Sequence, residues 1–126
     1  MIGSNISSWE SIDAEYFPDS KVRVKLATGD NMQLIWAEFQ PDGRYDLHSH
    51  ACEQFSLMIS GRMKLTVGDE TREIGPGEMW HAPANVVHGG EMLGDEPVVF
   101  IDIYSPPSES LTDNMERARA KRLKPS

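Results

Sequence analysis

The chain has 126 residues, which suits one domain with its own core, because domains typically run to roughly 100–200 residues. Its 20 acidic and 12 basic side chains give a formal net charge of −8, which argues against nucleic acid, since phosphate binding needs a dense basic surface. No run approaches the roughly 18 apolar residues of a membrane span, and the single cysteine, Cys52, cannot form an internal disulfide.

Residues 1–19 show little periodic pattern and are expected to form an arm or a single strand. They contain no basic region followed by an apolar run, so no secretory signal is visible. A lone cysteine also suits a reducing compartment. We therefore expect a soluble, cytoplasmic protein.

From about residue 20 to 106 the chain alternates apolar and polar residues in short runs, which is the pattern of half-buried strands. A Gly29–Asp30 pair precedes one such run, and Gly68–Asp69 lies inside another as a hairpin signal. Glycine or proline separates most of the remaining runs. This spacing predicts many short strands in a β-sandwich or barrel, built as a single domain.

The last predicted strand covers 97–105 and ends at two prolines. It is apolar except at Asp102, which shares a face with Phe100 and Tyr104 and is costly to bury without a partner. The opposite face carries Val99, Ile101 and Ile103. Small barrels with an apolar outer face commonly pair, so we expect a homodimer. Residues 107–126 have helix formers and a Ser or Asp cap, which predicts a tail with a short helix.

Two segments contain the candidate metal-binding residues. In "HSHACEQ" the side chains of His48 and His50 are two residues apart and face the same way in a strand, and Cys52 and Gln54 share that parity if the strand stays regular. Burying two imidazoles is costly unless their nitrogens are satisfied, and a metal ion satisfies them directly. The alternative is a solvent-facing strand end. A later segment, "GPGEMWHAPANVVHGG", contributes His88.

Both segments resemble the two motifs of the cupin superfamily, whose members are small double-stranded β-helix or jelly-roll barrels. The first motif is a glycine, a His-x-His pair, an acid or amide and a second glycine, matched here by Gly43, His48, His50, Gln54 and Gly61. The second is glycine, proline, glycine and histidine, matched by Gly77, Pro83, Asn85 and His88. The resemblance implies an all-β cupin barrel, to which this chain adds the short carboxyl-terminal helix.

The resemblance also implies one divalent metal ion, with His48, His50, Gln54 and His88 as its ligands. Such a donor set suits Zn, Ni, Mn, Co or Fe(II). Gln54 stands where many cupins have glutamate, so the ion should be a stronger Lewis acid and be held less tightly. Asn85 stands where the family has glycine, which is tolerable because Asn visits left-handed backbone readily. A barrel that has kept its motifs and lost its metal is the alternative.

The segments "LHSHACEQ" and "VVFIDIYSPP" further resemble a subgroup of single-domain cupins that includes the pectin-degradation enzymes, which convert unsaturated uronates to 5-keto-4-deoxyuronate. In that subgroup the last strand supplies an aspartate and an aromatic residue to the pocket, matched here by Asp102 and Tyr104 as catalytic residues. The subgroup's arginine four residues later is replaced by Ser108. Without a bidentate clamp for a sugar carboxylate, the resemblance does not specify a uronate.

These residues predict an isomerase or lyase acting on a small oxygenated substrate, sugar-acid-like or enol/keto, with Asp102 moving a proton and Tyr104 positioning. The alternatives are a polyketide-cyclase-like cupin, an Fe(II) dioxygenase and a barrel that binds a small molecule without turnover. Asp102 could instead only accept a hydrogen bond from the backbone or from a histidine that ligates the metal. His81 could reach the site from a neighbouring strand, but we expect it to be satisfied by backbone near Trp80. We expect Cys52 to stay outside the ligand set.

Overall fold

The computed structural model describes residues 5–125, which form ten strands followed by one helix. A short 3-10 turn at Trp9–Ser11 precedes the strands. The strands are β1 Glu15–Phe17, β2 Val22–Thr28, β3 Gln33–Phe39, β4 Arg44–His48, β5 Glu53–Ser60, β6 Arg62–Val67, β7 Glu70–Ile74, β8 Met79–Ala82, β9 His88–Leu93 and β10 Val98–Ser105. The helix α1 covers Glu109–Leu123.

The strands form two sheets that share one core. One sheet has the order β1-β2-β3-β10-β5-β8 and the other has the order β4-β9-β6-β7, with antiparallel neighbours throughout. Strand β3 buries every second residue from Gln33 to Phe39, and β10 does the same from Val98 to Tyr104. The predicted all-β architecture with a carboxyl-terminal helix is therefore confirmed.

Several local predictions can be checked directly against the strands. The Gly68–Asp69 pair connects β6 to β7, whose residues pair across the turn. In β10 the face with Asp102 points inward and is buried, as predicted. On the outward face Ile103 is exposed beside Phe55 and Leu57 of β5. The homodimer that this apolar face suggests stays a prediction.

The barrel interior beneath the histidines is aromatic. Phe100 is 1% exposed, and its ring centroid lies 5.4 Å from that of Phe39, 5.2 Å from Tyr45 and 5.1 Å from Trp80. Burying a phenylalanine of this kind stabilises the fold by about 1.5–3 kcal/mol. The core thus supplies a closely packed apolar base for the polar residues that converge above it.

Helix α1 is capped at its first turn and is held against the barrel by Met115 and Arg122. The Ser108 hydroxyl caps its first turn by accepting the Leu111 backbone N–H at 3.1 Å, and Met115 is buried. Near the other end, Arg122 donates twice to the buried carboxylate of Glu15, at 2.9 Å each. Within residues 5–125, no helix is long and apolar enough to cross a membrane.

Candidate metal centre

His48 and His88 are brought together by an irregularity between β4 and β9. The two residues are cross-strand partners, and the register shifts between Tyr45 and His48. This shift allows the side chains of Tyr45 and His48 to face the interior together. In a regular strand, residues three positions apart point to opposite faces. Gly89 permits the close approach, because a Cβ there would lie 2.7 Å from the Tyr45 carbonyl oxygen.

His50 lies outside any strand, in the turn 49–52 between β4 and β5. The condition for shared parity, a regular strand through His48, Cys52 and Gln54, is therefore not met. The His50 ring is held instead by its Nδ1–H, which donates to the Cys52 carbonyl at 2.9 Å. The Cys52 sulfur lies 3.3 Å from that same Nδ1, so the thiol sits beside the nitrogen that is already engaged and outside the histidine cluster.

All three histidines present the same nitrogen to the centre. Each Nδ1 lies beside a backbone carbonyl, at 2.7 Å in His48, 2.9 Å in His50 and 2.9 Å in His88. A carbonyl oxygen only accepts, so Nδ1 carries the hydrogen and the neutral ring keeps its lone pair on Nε2. One ring nitrogen of each residue lies within 4.8 Å of the others.

His88 has a buried ring nitrogen that could bind a metal ion. It is 0% exposed, and its Nε2 is buried without a hydrogen-bond partner among residues 5–125. Burial, together with the nearby His48 and His50, lowers the pKa of His88 to about 4 although its Nδ1 bond to the Val86 carbonyl opposes the shift. The ring is therefore neutral at physiological pH, with an unsatisfied lone pair that a metal cation would satisfy.

Gln54 adds a fourth acceptor. Its amide nitrogen donates to Ser56 Oγ at 2.8 Å and to Asp102 Oδ1 at 3.1 Å, which turns its Oε1 toward His50 Nε2 at 3.0 Å. Since His50 has its hydrogen on Nδ1, two acceptors face each other at that distance. A cation between them removes the repulsion. The donor set of three imidazoles and one amide oxygen thus fits a divalent metal ion.

Asp102 and Tyr104 reach the same centre through the pairing of β10 with β5. Asp102 lies opposite Ser56, and Tyr104 lies opposite Gln54. Asp102 Oδ1 accepts from Ser56 Oγ at 2.5 Å and from the Gln54 amide. Burial raises the pKa of Asp102 to about 7, and these two hydrogen bonds oppose that shift. The Tyr104 ring lies 4.9 Å from that of His50, and burial raises the pKa of its hydroxyl well above the usual value.

Two residues of the centre were not predicted. Ser56 follows Gln54 by two positions on β5, so strand alternation alone would have indicated that it faces the site. Tyr45 lies with its ring 5.4 Å from that of His48 and 6.3 Å from that of His88. No sequence signal marked Tyr45, because its inward position depends on the register shift in β4.

The other marked residues lie elsewhere or have other partners. His81 Nε2 contacts the Glu53 carboxylate at 2.6 Å on the exposed outer face, so the prediction of a backbone partner was wrong. The cause is its side-chain parity on β8, where Trp80 faces inward and His81 faces out. Asn85 has φ of +67°, as expected for the position of a family glycine. Ser108, where an arginine was missing, is the cap of α1.

A family model described as the cupin domain matches residues 35–104, which is more than half of the chain. The matched segment runs from β3 to β10 and contains every residue of the candidate metal centre. The match covers both histidine segments and the last strand, so one family pattern accounts for the whole site.

Comparisons with individual proteins find a related sequence and several similar folds. The H2HPP isomerase of Bacillus subtilis is 32% identical over 96 residues, covering 70% of this chain and 41% of that protein, so the chain spans about two fifths of its length. KdgF from Halomonas superposes with a TM-score of 0.73 at 20% identity, covering 81% of this chain and 94% of KdgF. The polyketide cyclase RemF from Streptomyces resistomycificus gives 0.70 at 21% identity, covering 90% and 93%.

Proposed function

This chain belongs to the cupin domain family, and we propose that it is a metal-dependent enzyme of the isomerase or lyase type. Its substrate would be a small oxygenated molecule, sugar-acid-like or enol/keto, on which Asp102 moves a proton. One observation carries the proposal: three imidazole nitrogens and an amide oxygen converge beside a buried carboxylate. The isomerase of Bacillus subtilis supports the reaction type, although this chain spans only part of it.

We assign His48, His50, Gln54 and His88 as the ligands of one divalent ion. A divalent ion bound there supplies Lewis acidity to a carbonyl or hydroxyl oxygen of the substrate. All four assigned ligands are neutral, so none of them offsets the positive charge. The Asp102 carboxylate contacts the ligand set through the Gln54 amide.

Asp102 has the geometry of a group that transfers protons. Within residues 5–125, the side-chain hydrogen bonds to this carboxylate all end on Oδ1, from Ser56 and Gln54. The other oxygen, Oδ2, is left to take or give a proton. A pKa of about 7 makes both protonation states accessible near neutrality, which is the condition for general acid–base catalysis.

Tyr104 orients the substrate in this proposal. Its hydroxyl stays protonated at all physiological pH values, because burial raises its pKa. Its ring is fixed against His50, and its strand position is next to Gln54. It can therefore donate a hydrogen bond to a substrate oxygen without competing for the proton that Asp102 carries.

The substrate would approach past His48 and His50, which are half-buried, while Gln54 and His88 are fully buried. Among residues 5–125, no lysine or arginine contributes a hydrogen bond or ion pair to these side chains. The position of the subgroup's carboxylate clamp holds the helix cap, Ser108. A carbonyl or enol therefore suits this site better than recognition through a carboxylate.

A polyketide-cyclase-like reaction is the second candidate. Among residues 5–125, no lysine or arginine side chain is bonded to the ligands, and the half-buried Tyr45 ring lies beside His48 and His88. Both features favour an aromatic or polyketone substrate. The similarity to RemF covers nine tenths of both chains, although identity of 21% supports the shared fold only.

The test combines metal analysis with activity on one sample. Wild-type protein should contain about one equivalent of a divalent metal, while His88→Ala should lose it and His81→Ala, the histidine outside the cluster, should retain it. Unsaturated uronates are assayed by loss of ultraviolet absorbance at the enol double bond, and keto-enol aromatics by product analysis. Turnover with redox-inert Zn would eliminate the dioxygenase. Equal metal content in His88→Ala and wild type would refute the site.

Asp102→Asn tests the proton transfer. With metal content unchanged, this variant should lose turnover, because an amide at position 102 can accept from Ser56 and Gln54 but cannot carry the proton. Full activity in Asp102→Asn would leave the metal site intact and eliminate Asp102 as the acid or base.

A further inference from the structure

The Gln54 side chain can bind a metal ion in only one of its two amide orientations. An amide has an oxygen end and a nitrogen end of nearly equal size, and only the oxygen has a lone pair available for a metal ion. The orientation is therefore decided by what the amide contacts. Gln54 is 0% exposed, so its amide is out of contact with bulk water.

The contacts behind Gln54 are both acceptors. Ser56 has one hydroxyl proton, and it donates that proton to Asp102 Oδ1 at 2.5 Å. Its oxygen is then free only to accept, which it does from the Gln54 amide at 2.8 Å, while Asp102 accepts the second amide N–H at 3.1 Å. The Tyr45 hydroxyl, at 3.4 Å from the same nitrogen, is a poorer partner.

We propose that Ser56 is a positioning residue, which holds the Gln54 amide with its oxygen toward His50 and so presents an oxygen ligand to the metal. The proposal rests on the proposed function, since it assumes a metal at this centre. A reversed amide would place its carbonyl oxygen against the Asp102 carboxylate and the Ser56 lone pairs, and its NH₂ group toward the ion. Ser56 contacts neither metal nor substrate and acts only through Gln54 and Asp102.

Removing the Ser56 hydroxyl should weaken the orientation of the Gln54 amide without removing any metal ligand. In Ser56→Ala one amide N–H of Gln54 is buried with no good acceptor, and Asp102 loses a donor. Substitutions of residues that orient a ligand typically reduce metal affinity 10–100-fold, and we expect a loss in that range here. The exposed Ser60 lies on the same strand, and Ser60→Ala should leave affinity unchanged.

A double-mutant cycle separates positioning from general damage. In Gln54→Ala no amide remains to be oriented. Ser56→Ala should therefore change affinity by less than about threefold in the Gln54→Ala background while it weakens binding 10–100-fold in the wild-type background. A role that is only structural would give the same loss in both backgrounds.

The probe is Zn²⁺, with dissociation constants measured by competition against a chromophoric chelator, and folding of each variant checked by circular dichroism. Ser56→Gly provides a second variant, which also removes the hydroxyl and adds no group that could bind Zn²⁺, in case the alanine variant does not fold. A wild-type-like dissociation constant in both Ser56 variants, or equal losses in the two backgrounds, would overturn the proposal while leaving the metal site standing. Absence of Zn²⁺ binding by wild type would instead refute the site itself.

Discussion

Replacing Asp102 with asparagine should change how the stability of the metal-free protein depends on pH. The side chain is 4% exposed, and burial raises its pKa to about 7 in the folded state from 3.8 in an unstructured chain. Between these values the folded state binds more protons than the unfolded state, so this group makes the protein less stable as pH rises. Its favourable contribution is complete below pH 3.8 and is lost by about pH 7.

The size of the effect follows from the two pKa values. One pKa unit corresponds to about 1.4 kcal/mol, so keeping Asp102 ionised in the folded state costs about 4 kcal/mol above pH 7. Asparagine does not titrate and avoids this cost, although its buried NH₂ adds a penalty that does not vary with pH. His88 has the opposite dependence, because its pKa is lowered to about 4, but it contributes equally to both proteins and cancels in the difference.

The assay is urea unfolding of wild type and Asp102→Asn in a metal chelator, at several pH values from 4 to 8.5. The free energy of unfolding of the variant minus that of wild type should increase by up to about 4 kcal/mol across this range. A flat difference, or one that falls with pH, would show that Asp102 is not desolvated and would refute the reasoning. A variant that is more stable but inactive would mean that the protein keeps a destabilising carboxylate for its chemistry.

Three further predictions concern the scaffold. Gly89→Ala should destabilise the protein by about 1–3 kcal/mol in urea unfolding and weaken metal binding, because its Cβ would meet carbonyl oxygens of β4 at under 3 Å. Ser108→Ala should cost about 1 kcal/mol in thermal unfolding, through loss of the cap to Leu111, without changing metal affinity. If the protein is the predicted homodimer, sedimentation equilibrium should give a monomer for Ile103→Glu, on the outer face of the sheet. The control Leu123→Glu, on the helix, should remain a dimer. A monomeric wild type would rule the dimer out.

Much of this fold was predictable because its determinants are local. Alternation of apolar and polar residues predicts a strand wherever one face is buried, and it placed Phe100, Asp102 and Tyr104 on the inward face of β10. Turn chemistry also depends on neighbouring residues, so the Gly68–Asp69 hairpin and the left-handed Asn85 followed from residue type. The motif spacing brought His48, His50 and His88 into one hypothesis, and the structure places them together.

The remaining features depend on residues that are distant in the chain. The shift that turns both Tyr45 and His48 inward requires Gly89 on β9, and the orientation of the Gln54 amide requires Asp102 on β10. The alternation of apolar and polar residues does not reveal a β-bulge. At a bulge one extra residue is inserted, so the residues beyond it change from the inner to the outer face of the sheet. The sequence alone therefore determined which side chains could hold a metal, while the tertiary structure decided which atom of each side chain faces the centre.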